Sequence, residues 1–453
     1  MDFITVLDKI DSFVWGPPLL VLLMGTGFYL TIRLGVLQVF KLPKALKLIF
    51  KAENAGSGDV TSFAALCTAL AATIGTGNIV GVATAIKAGG PGALFWMCLA
   101  GFFGMATKYS EGVLAIKYRK TDDNGEIAGG PMHYITMGMG EKFKPLAIFF
   151  AASGVLVATM GMGTFTQVNS ITSSINSSFG VDPRVTSVVL AIFVAVIIFN
   201  GLESISNVST KVVPFMAIIY IIICSIVLIA NADKIPATFA LILKDAFSPT
   251  AATGGFLGAT ISMAIRNGVA RGMFSNESGL GSAPIAAAAA KTHWPAEQGL
   301  ISMTGTFIDT IIICNLTGLS LIITGVWSSD TAGAVMTQQA FGSVFSLGPV
   351  LLTISLALFA FTTILGWNYY GERCFEYLFG VKQIKSYRVF YVLMVLLGGF
   401  LKLDVVWLLA DIFNALMAIP NLIALLVLSP IIISETNKYF EHINAPERKI
   451  GNN

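Results

Sequence analysis

The sequence predicts an all-α polytopic membrane protein with eleven transmembrane helices, one extra N-terminal helix followed by a five-plus-five inverted repeat. Three observations predict it. Charged residues are only 12% of the 453 and hydrophobic residues 55%, where a typical soluble domain is about 25% charged. Eleven apolar stretches approach the ~20 residues needed to cross a bilayer. The chain also resembles itself when slid by 204 residues.

So few charges could not cover a soluble globule, and the mean hydropathy is +0.78. Disorder and coiled coil need more charge, and a secreted disulfide scaffold needs denser cysteine. Cys67, Cys98, Cys224, Cys314 and Cys374 lie in or beside apolar stretches with no CxxC pair, so they read as small apolar residues. His133, His293 and His442 are far apart and fit no metal-ligand motif. The net charge of +3 is accounted for by loop placement, so no nucleic-acid partner is expected.

The apolar stretches run over 13–32, 61–86, 92–116, 145–171, 184–200, 209–231, 254–290, 298–325, 347–372, 387–401 and 404–433. The first has a net negative flank of Asp2, Asp8, Lys9 and Asp11 and no small-residue cleavage site after it. It reads as a membrane helix rather than a signal peptide. The organisation expected is an N-terminal helix with a basic cytoplasmic linker (1–60) and a first five-helix repeat (61–231). A second repeat with its preceding extracellular loop (232–433) and a cytoplasmic tail (434–453) follow.

Loop charges orient the chain. The first connection carries Arg33, Lys41, Lys44, Lys47 and Lys51, and the third carries Lys117, Arg119, Lys120, Lys142 and Lys144. Arg373, Lys382, Lys385 and Arg388 fall on the same side, as does the tail with Lys438, Arg448 and Lys449. The side rich in Lys and Arg is cytoplasmic. The N-terminus is therefore expected outside a cell membrane and the C-terminus inside.

The internal match pairs Gly75–Thr107 with Gly279–Ile311, without a gap, at eight of 33 positions. It pairs Gly75 with Gly279, Gly77 with Gly281, Lys87 with Lys291 and Pro91 with Pro295. Chance similarity between membrane helices is the plainer account. The two copies lie in spans 2 and 7, however, and five spans reverse direction across the membrane. That makes the repeat inverted, an architecture of transporters whose sites lie near the midplane on interrupted helices.

Both copies carry such an interruption. Span 2 reads Thr73-Ile74-Gly75-Thr76-Gly77-Asn78 at its middle, and span 7 reads Gly272-Met273-Phe274-Ser275-Asn276-Glu277-Ser278-Gly279-Leu280-Gly281-Ser282. Glycines and small polar residues weaken a helix where lipid offers no hydrogen bonds. An unwound turn exposes amides for a carboxylate and carbonyls for a cation; close helix packing is the competing explanation of the glycines. Span 9 carries Thr362-Thr363 and, one turn on, Trp367. Paired hydroxyls suit a hard cation, although threonines in membrane helices also bond back to their own helix. Phe165 and Gln167 on span 4 are candidates for a pocket wall and a polar contact, with packing as the alternative. Arg266, Arg271, Glu277, Asp309 and Asp411 are charges inside spans, either structural pairs or gates.

The stretch Gly89-Gly90-Pro91-Gly92-Ala93-Leu94-Phe95-Trp96, continuing through Gly101-Phe102-Phe103-Gly104-Met105-Ala106-Thr107-Lys108-Tyr109-Ser110-Glu111, closely resembles the signature of the alanine or glycine:cation symporter family. Gly129-Gly130-Pro131-Met132-His133-Tyr134-Ile135, Asn276-Glu277-Ser278-Gly279-Leu280-Gly281-Ser282 and Ala418-Ile419-Pro420-Asn421-Leu422 fit the same family. Cys98 and His133 depart from its usual tryptophan and tyrosine. The resemblance implies a leucine-transporter-type fold. It implies that Thr73, Ile74, Gly75, Thr76 and Gly77 with Phe274, Ser275 and Asn276 hold an amino acid. It implies one Na⁺ among carbonyls of Ala71, Ile74 and Phe359 and hydroxyls of Thr362 and Thr363, and a second among Thr73, Asn78 and Ser275.

The function expected is a secondary active symporter that couples Na⁺ influx to uptake of small neutral amino acids. Phe165, Gln167, Thr363 and Trp367 complete the substrate site, with the two rings limiting substrate size. Na⁺ is cargo; no organic cofactor, no nucleic acid and no obligate protein partner is expected, and lipid surrounds the chain. Proton-coupled symport is the alternative. A channel needs no duplicated break. A membrane enzyme needs a nucleophile–base pair or a metal cluster in the spans, and Ser278 has no histidine partner there. With no GxxxxGK[ST] motif in the chain, an ATP-driven pump is not expected either.

Overall fold

The computed structural model describes residues 3–52, 55–247, 261–401 and 403–445. The start of the seventh apolar stretch (254–260), Lys402, Arg448 and Lys449 lie outside the described residues. Apart from one short hairpin, Lys120–Thr121 against Ile127–Ala128, regular structure among the described residues is helical. Among the described residues, six helices are long and apolar enough to cross a membrane: Ile4–Arg33, Glu141–Phe179, Gly201–Ala230, Pro295–Ile323, Gly348–Phe379 and Val406–Val427. The pair Ser62–Thr73 and Gly77–Gly89 passes the same test taken together, and turns by 52° at its break. Gly92–Lys117 is a further long helix, and Pro183–Ile198 and Ile384–Gly398 are shorter apolar ones.

Helix dominates because a chain in lipid must satisfy its backbone internally. Where the helices stop short, polar side chains replace the missing bonds. The first expected break lies at Ile74–Thr76 and the second at Glu277–Ser282, between Ile261–Asn276 and Ala283–Ala288. A third interruption, at Gly161–Thr164, separates Lys144–Met160 from Phe165–Phe179.

The two interrupted helices lie side by side and antiparallel. Val60, just before the first helix, meets Ala290, just after the last turn of the second, in a locally parallel isolated bridge. A Cβ on Gly77 would stand 3.0 Å from the Ser275 Cα, and one on Gly89 would stand 3.1 Å from the Ala264 Cα. The partner number falls as the first number rises, which only opposed directions allow. At the Val60 end, Arg119 donates to the carbonyls of Ala288, Ala290, Ser57 and Thr292 at 2.6–2.9 Å, and to the Ser57 hydroxyl at 3.1 Å.

The basic linker is more ordered than a connecting loop. Leu42–Lys51 is an amphipathic helix that buries Ala45 and Ile49, while Lys41 and Lys44 sit over the rings of Phe440 and Tyr439. The last apolar stretch does not run to 433 as one helix. Pro430 opens a new helix, Ser429–Asn444, because proline suits the first turn of a helix and disrupts its interior.

Candidate functional site

At the first break the freed backbone groups find side chains. The Gly75 amide donates to Asn78 Oδ1 at 2.8 Å, and the Thr76 amide donates to Gln167 Oε1 at 3.2 Å. Gln167 is itself held by Met162 O at the third interruption, 2.9 Å away. After the break, Gly77–Gly81 forms widened π turns. They face another π segment, Phe307–Cys314, and such bulges recur at functional sites.

The threonine pair reaches this break. Thr363 Oγ1 donates to Ile74 O at 3.3 Å and to Phe359 O at 3.0 Å. Thr362 Oγ1 donates to Phe359 O at 3.0 Å. Two carbonyls and two hydroxyls therefore converge, all neutral hard oxygens of the kind that suits a hard cation. Ala71, fully buried, lies one turn before Ile74 on the helix that ends at this break.

Asn78 and Ser275 also meet, through a residue that sequence reasoning left unassigned. Asp309 Oδ1 accepts from Asn78 Nδ2 at 2.6 Å, and Asp309 Oδ2 accepts from Ser275 Oγ at 2.9 Å and Thr310 Oγ1 at 2.8 Å. One carboxylate thus joins the two breaks. Thr73, the third member of the expected second cation set, is not brought to them by hydrogen bonds. Its hydroxyl donates to Ala69 O and Leu70 O of its own helix, which is the back-bonding that hydroxyls adopt in apolar helices.

The second break is wrapped in charge. Glu277 has φ +57°, and Gly279 and Gly281 have φ +89° and +84°, left-handed values that glycine adopts freely. Lys108 Nζ donates to Asn276 O at 2.8 Å. The amides of Gly279 and Gly281 both donate to Glu111 Oε1 at 3.1 Å. Asn421 Nδ2 donates to the same oxygen at 2.7 Å and to Gly279 O at 2.9 Å, while Tyr134 OH donates to Asn421 Oδ1. Asn276 turns its side chain to Thr310 and to the Ser278 amide.

Trp367 is fully buried, and its indole N–H donates to Glu277 Oε1 at 2.8 Å. Ser282 Oγ supplies Glu277 Oε2 at 2.6 Å. Thr363 and Trp367, one turn apart, thus touch different breaks: the hydroxyl the first, the indole the second. Phe165 is buried on the helix that carries Gln167, and among the described residues no ring contact joins it to Trp367. Phe274 packs on Trp407 with ring centroids 5.2 Å apart. Arg271 lies over both rings and pairs with Asp411 through two bonds of 2.8 and 2.7 Å.

At the opposite end, Arg373 pairs with Asp122, Glu126 and Glu376, and Arg388 pairs with Glu372. His133 lies there too, against Tyr377. Burial, reinforced by the charges of Lys120 and Arg373, pushes its imidazole down to about 3, so it is a neutral packing group at physiological pH.

Lys108, Glu111 and Asp309 escaped the list of expected site residues, although each is an ionisable group in an apolar stretch, which is a functional signal in itself. The core around the breaks gathers Lys108 on Asn276 O, Glu111 on the Gly279 and Gly281 amides, Glu277 on Trp367 and Ser282, and Asp309 on Asn78 and Ser275. All four side chains are at most 2% exposed.

Residues 1–452 match the model of the sodium:alanine symporter family. The chain is 51% identical over 457 residues to the sodium/alanine symporter AgcS of Methanococcus maripaludis, covering 99% of this chain and 100% of that protein. It is 37% identical to the putative sodium/proton-dependent alanine carrier protein YrbD of Bacillus subtilis, covering 94% and 90%. Its fold resembles the substrate-bound outward-open state of a Na⁺-coupled sialic acid symporter, with a TM-score of 0.50 at 13% identity over 93% of this chain and 83% of that one.

Proposed function

The chain belongs to the sodium:alanine symporter family, and from that premise we propose that it couples Na⁺ entry to uptake of alanine and glycine by alternating access. The observation that carries the reading is the gathering of oxygens at the first break, where Ile74 O and Phe359 O accept from the Thr363 hydroxyl and Phe359 O also accepts from Thr362. Neutral hard oxygens gathered in this way suit a hard cation. A zwitterionic amino acid adds no net charge. It fits breaks that offer amides at one place and carbonyls at another.

In this reading the substrate carboxylate lies against Gly75–Gly77 and its ammonium near the carbonyls of Phe274–Asn276. Na⁺ binds Ile74 O, Phe359 O, Thr362 and Thr363, with Ala71 O completing the set, and so draws the first break onto the Gly348–Phe379 helix. The Thr363 hydroxyl, a donor to two carbonyls, rotates to present its lone pair instead. Eleven spans in a five-plus-five inverted repeat, with the N-terminus outside, place Arg271–Asp411 on the outer path and the Arg373 cluster on the inner one.

Asp309 favours a second reading, in which a proton accompanies or replaces a cation. It is a titratable group bonded to both Asn78 and Ser275, two of the expected cation ligands. Labelled alanine uptake into proteoliposomes separates the readings. Under Na⁺ coupling alone, an imposed pH gradient drives nothing, and Asp309→Asn raises the half-saturating Na⁺ at least tenfold. Under proton coupling, a pH gradient drives uptake in the wild type and fails in Asp309→Asn.

Size selection makes a separate prediction. Trp367→Ala removes the ring and is expected to let valine or leucine displace alanine in competition assays. Trp367→Phe keeps most of the bulk but leaves Glu277 without its indole donor, at a cost of about 1–3 kcal/mol. It is expected to lower the melting temperature while still excluding leucine. Unchanged selectivity in the alanine variant, with transport intact, would remove Trp367 from the pocket.

A further inference from the structure

The two breaks differ in what already occupies them. The amides of the first are held by neutral side-chain oxygens, Asn78 Oδ1 at 2.8 Å and Gln167 Oε1 at 3.2 Å. At the second, a carboxylate of the protein takes both the Gly279 and Gly281 amides, and the Asn421 amide nitrogen donates to the same oxygen. Its other oxygen, Glu111 Oε2, is buried with no hydrogen-bond partner. Lys108, one turn before Glu111, is held by the carbonyl on the opposite side of the same break.

Successive amides in a left-handed turn form a concavity that attracts anions, and a buried carboxylate needs donors and a counter-charge. We propose that Glu111 is a built-in anion for the second break, with Lys108 as its counter-charge and positioning partner. The pair holds the turn open without any external anion and leaves the first break as the acceptor of the substrate carboxylate. The uptake arm of the test rests on the symport reading; the thermal arm does not.

Glu111→Ala removes the carboxylate and leaves the three donors and the ammonium around a space of carboxylate size. In sodium gluconate, alanine uptake by this variant is expected to fall at least tenfold below wild type. Sodium formate or chloride is expected to restore it, while wild type responds to neither. In detergent, formate should raise the melting temperature of Glu111→Ala by a few degrees, because a ligand that binds only the folded state stabilises it. Wild type and the double variant Glu111→Ala/Lys108→Met should not shift.

A Glu111→Ala protein whose uptake and melting temperature ignore small anions overturns the proposal. Wild-type liposomes that take up no alanine would sink the symport reading, and the melting shift then decides the pair alone. Where Glu111→Ala yields no monodisperse protein, Glu111→Gln carries the test by hydrogen exchange. Peptides covering 277–282 are expected to exchange at least tenfold faster than in wild type, and unchanged exchange also overturns the assignment.

Discussion

Gly75→Ala is expected to abolish Na⁺-driven alanine uptake in a protein that still folds and inserts. A Cβ at this position would stand 2.4 Å from Thr363 Oγ1 and 3.2 Å from Gln167 Oε1. The first separation is well inside van der Waals contact, so the Thr363 hydroxyl must leave its place between Ile74 O and Phe359 O. Gly75 is not among the residues with positive φ, so alanine suits its backbone and the penalty is one of contact alone. Displacing a binding group by about 1 Å can cost about 100-fold, and uptake is expected to fall by at least that much. Uptake with wild-type Na⁺ dependence would show that the hydroxyl beside Gly75 binds no cation.

Thr363→Val tests the same oxygen from the other side. Valine keeps the shape of threonine and removes the hydroxyl. Interactions with a charged group contribute about 1.5–3 kcal/mol each, which corresponds to roughly 10- to 150-fold in affinity. The half-saturating Na⁺ concentration should rise by that factor, and uptake at ordinary Na⁺ should disappear. Alanine binding at very high Na⁺, measured by titration, should partly recover. A Thr363→Val protein with normal Na⁺ dependence would remove the threonine pair from the coupling site, and the Asp309 cluster would become the candidate for coupling.

The positions of the two breaks are legible in the sequence. Paired glycines among small polar residues contrast with otherwise apolar spans, and lipid leaves a helix few reasons to contain them. The adjacent threonines stand out for the same reason; Thr363 reaches Ile74 O at the first break, whereas Thr362 bonds back to Phe359 O of its own helix. What composition and spacing do not disclose is pairing across the fold. Lys108 meets a carbonyl 168 residues away, and Asn421 meets a carboxylate 310 residues away. No local pattern announces such distances.

Side-chain direction was equally hidden. Thr73 has the right chemistry for a cation ligand, but its hydroxyl is spent on Ala69 and Leu70. Trp367 has the spacing to join Thr363 on one face, yet its indole is aimed at Glu277. The interruption at Gly161–Thr164 was visible only as a pair of glycines, which close packing explains equally well.

The Arg119 guanidinium has a mechanical consequence. Its five hydrogen bonds reach segments at the start of one interrupted helix and the end of the other. Peeling either segment away alone would sacrifice several charge-assisted bonds, each contributing about 1.5–3 kcal/mol. Swinging both together sacrifices none of them. The two half-helices at that end therefore form a single lever: a force that displaces one arm carries the other with it, and the pair tilts as a unit rather than unwinding at one arm.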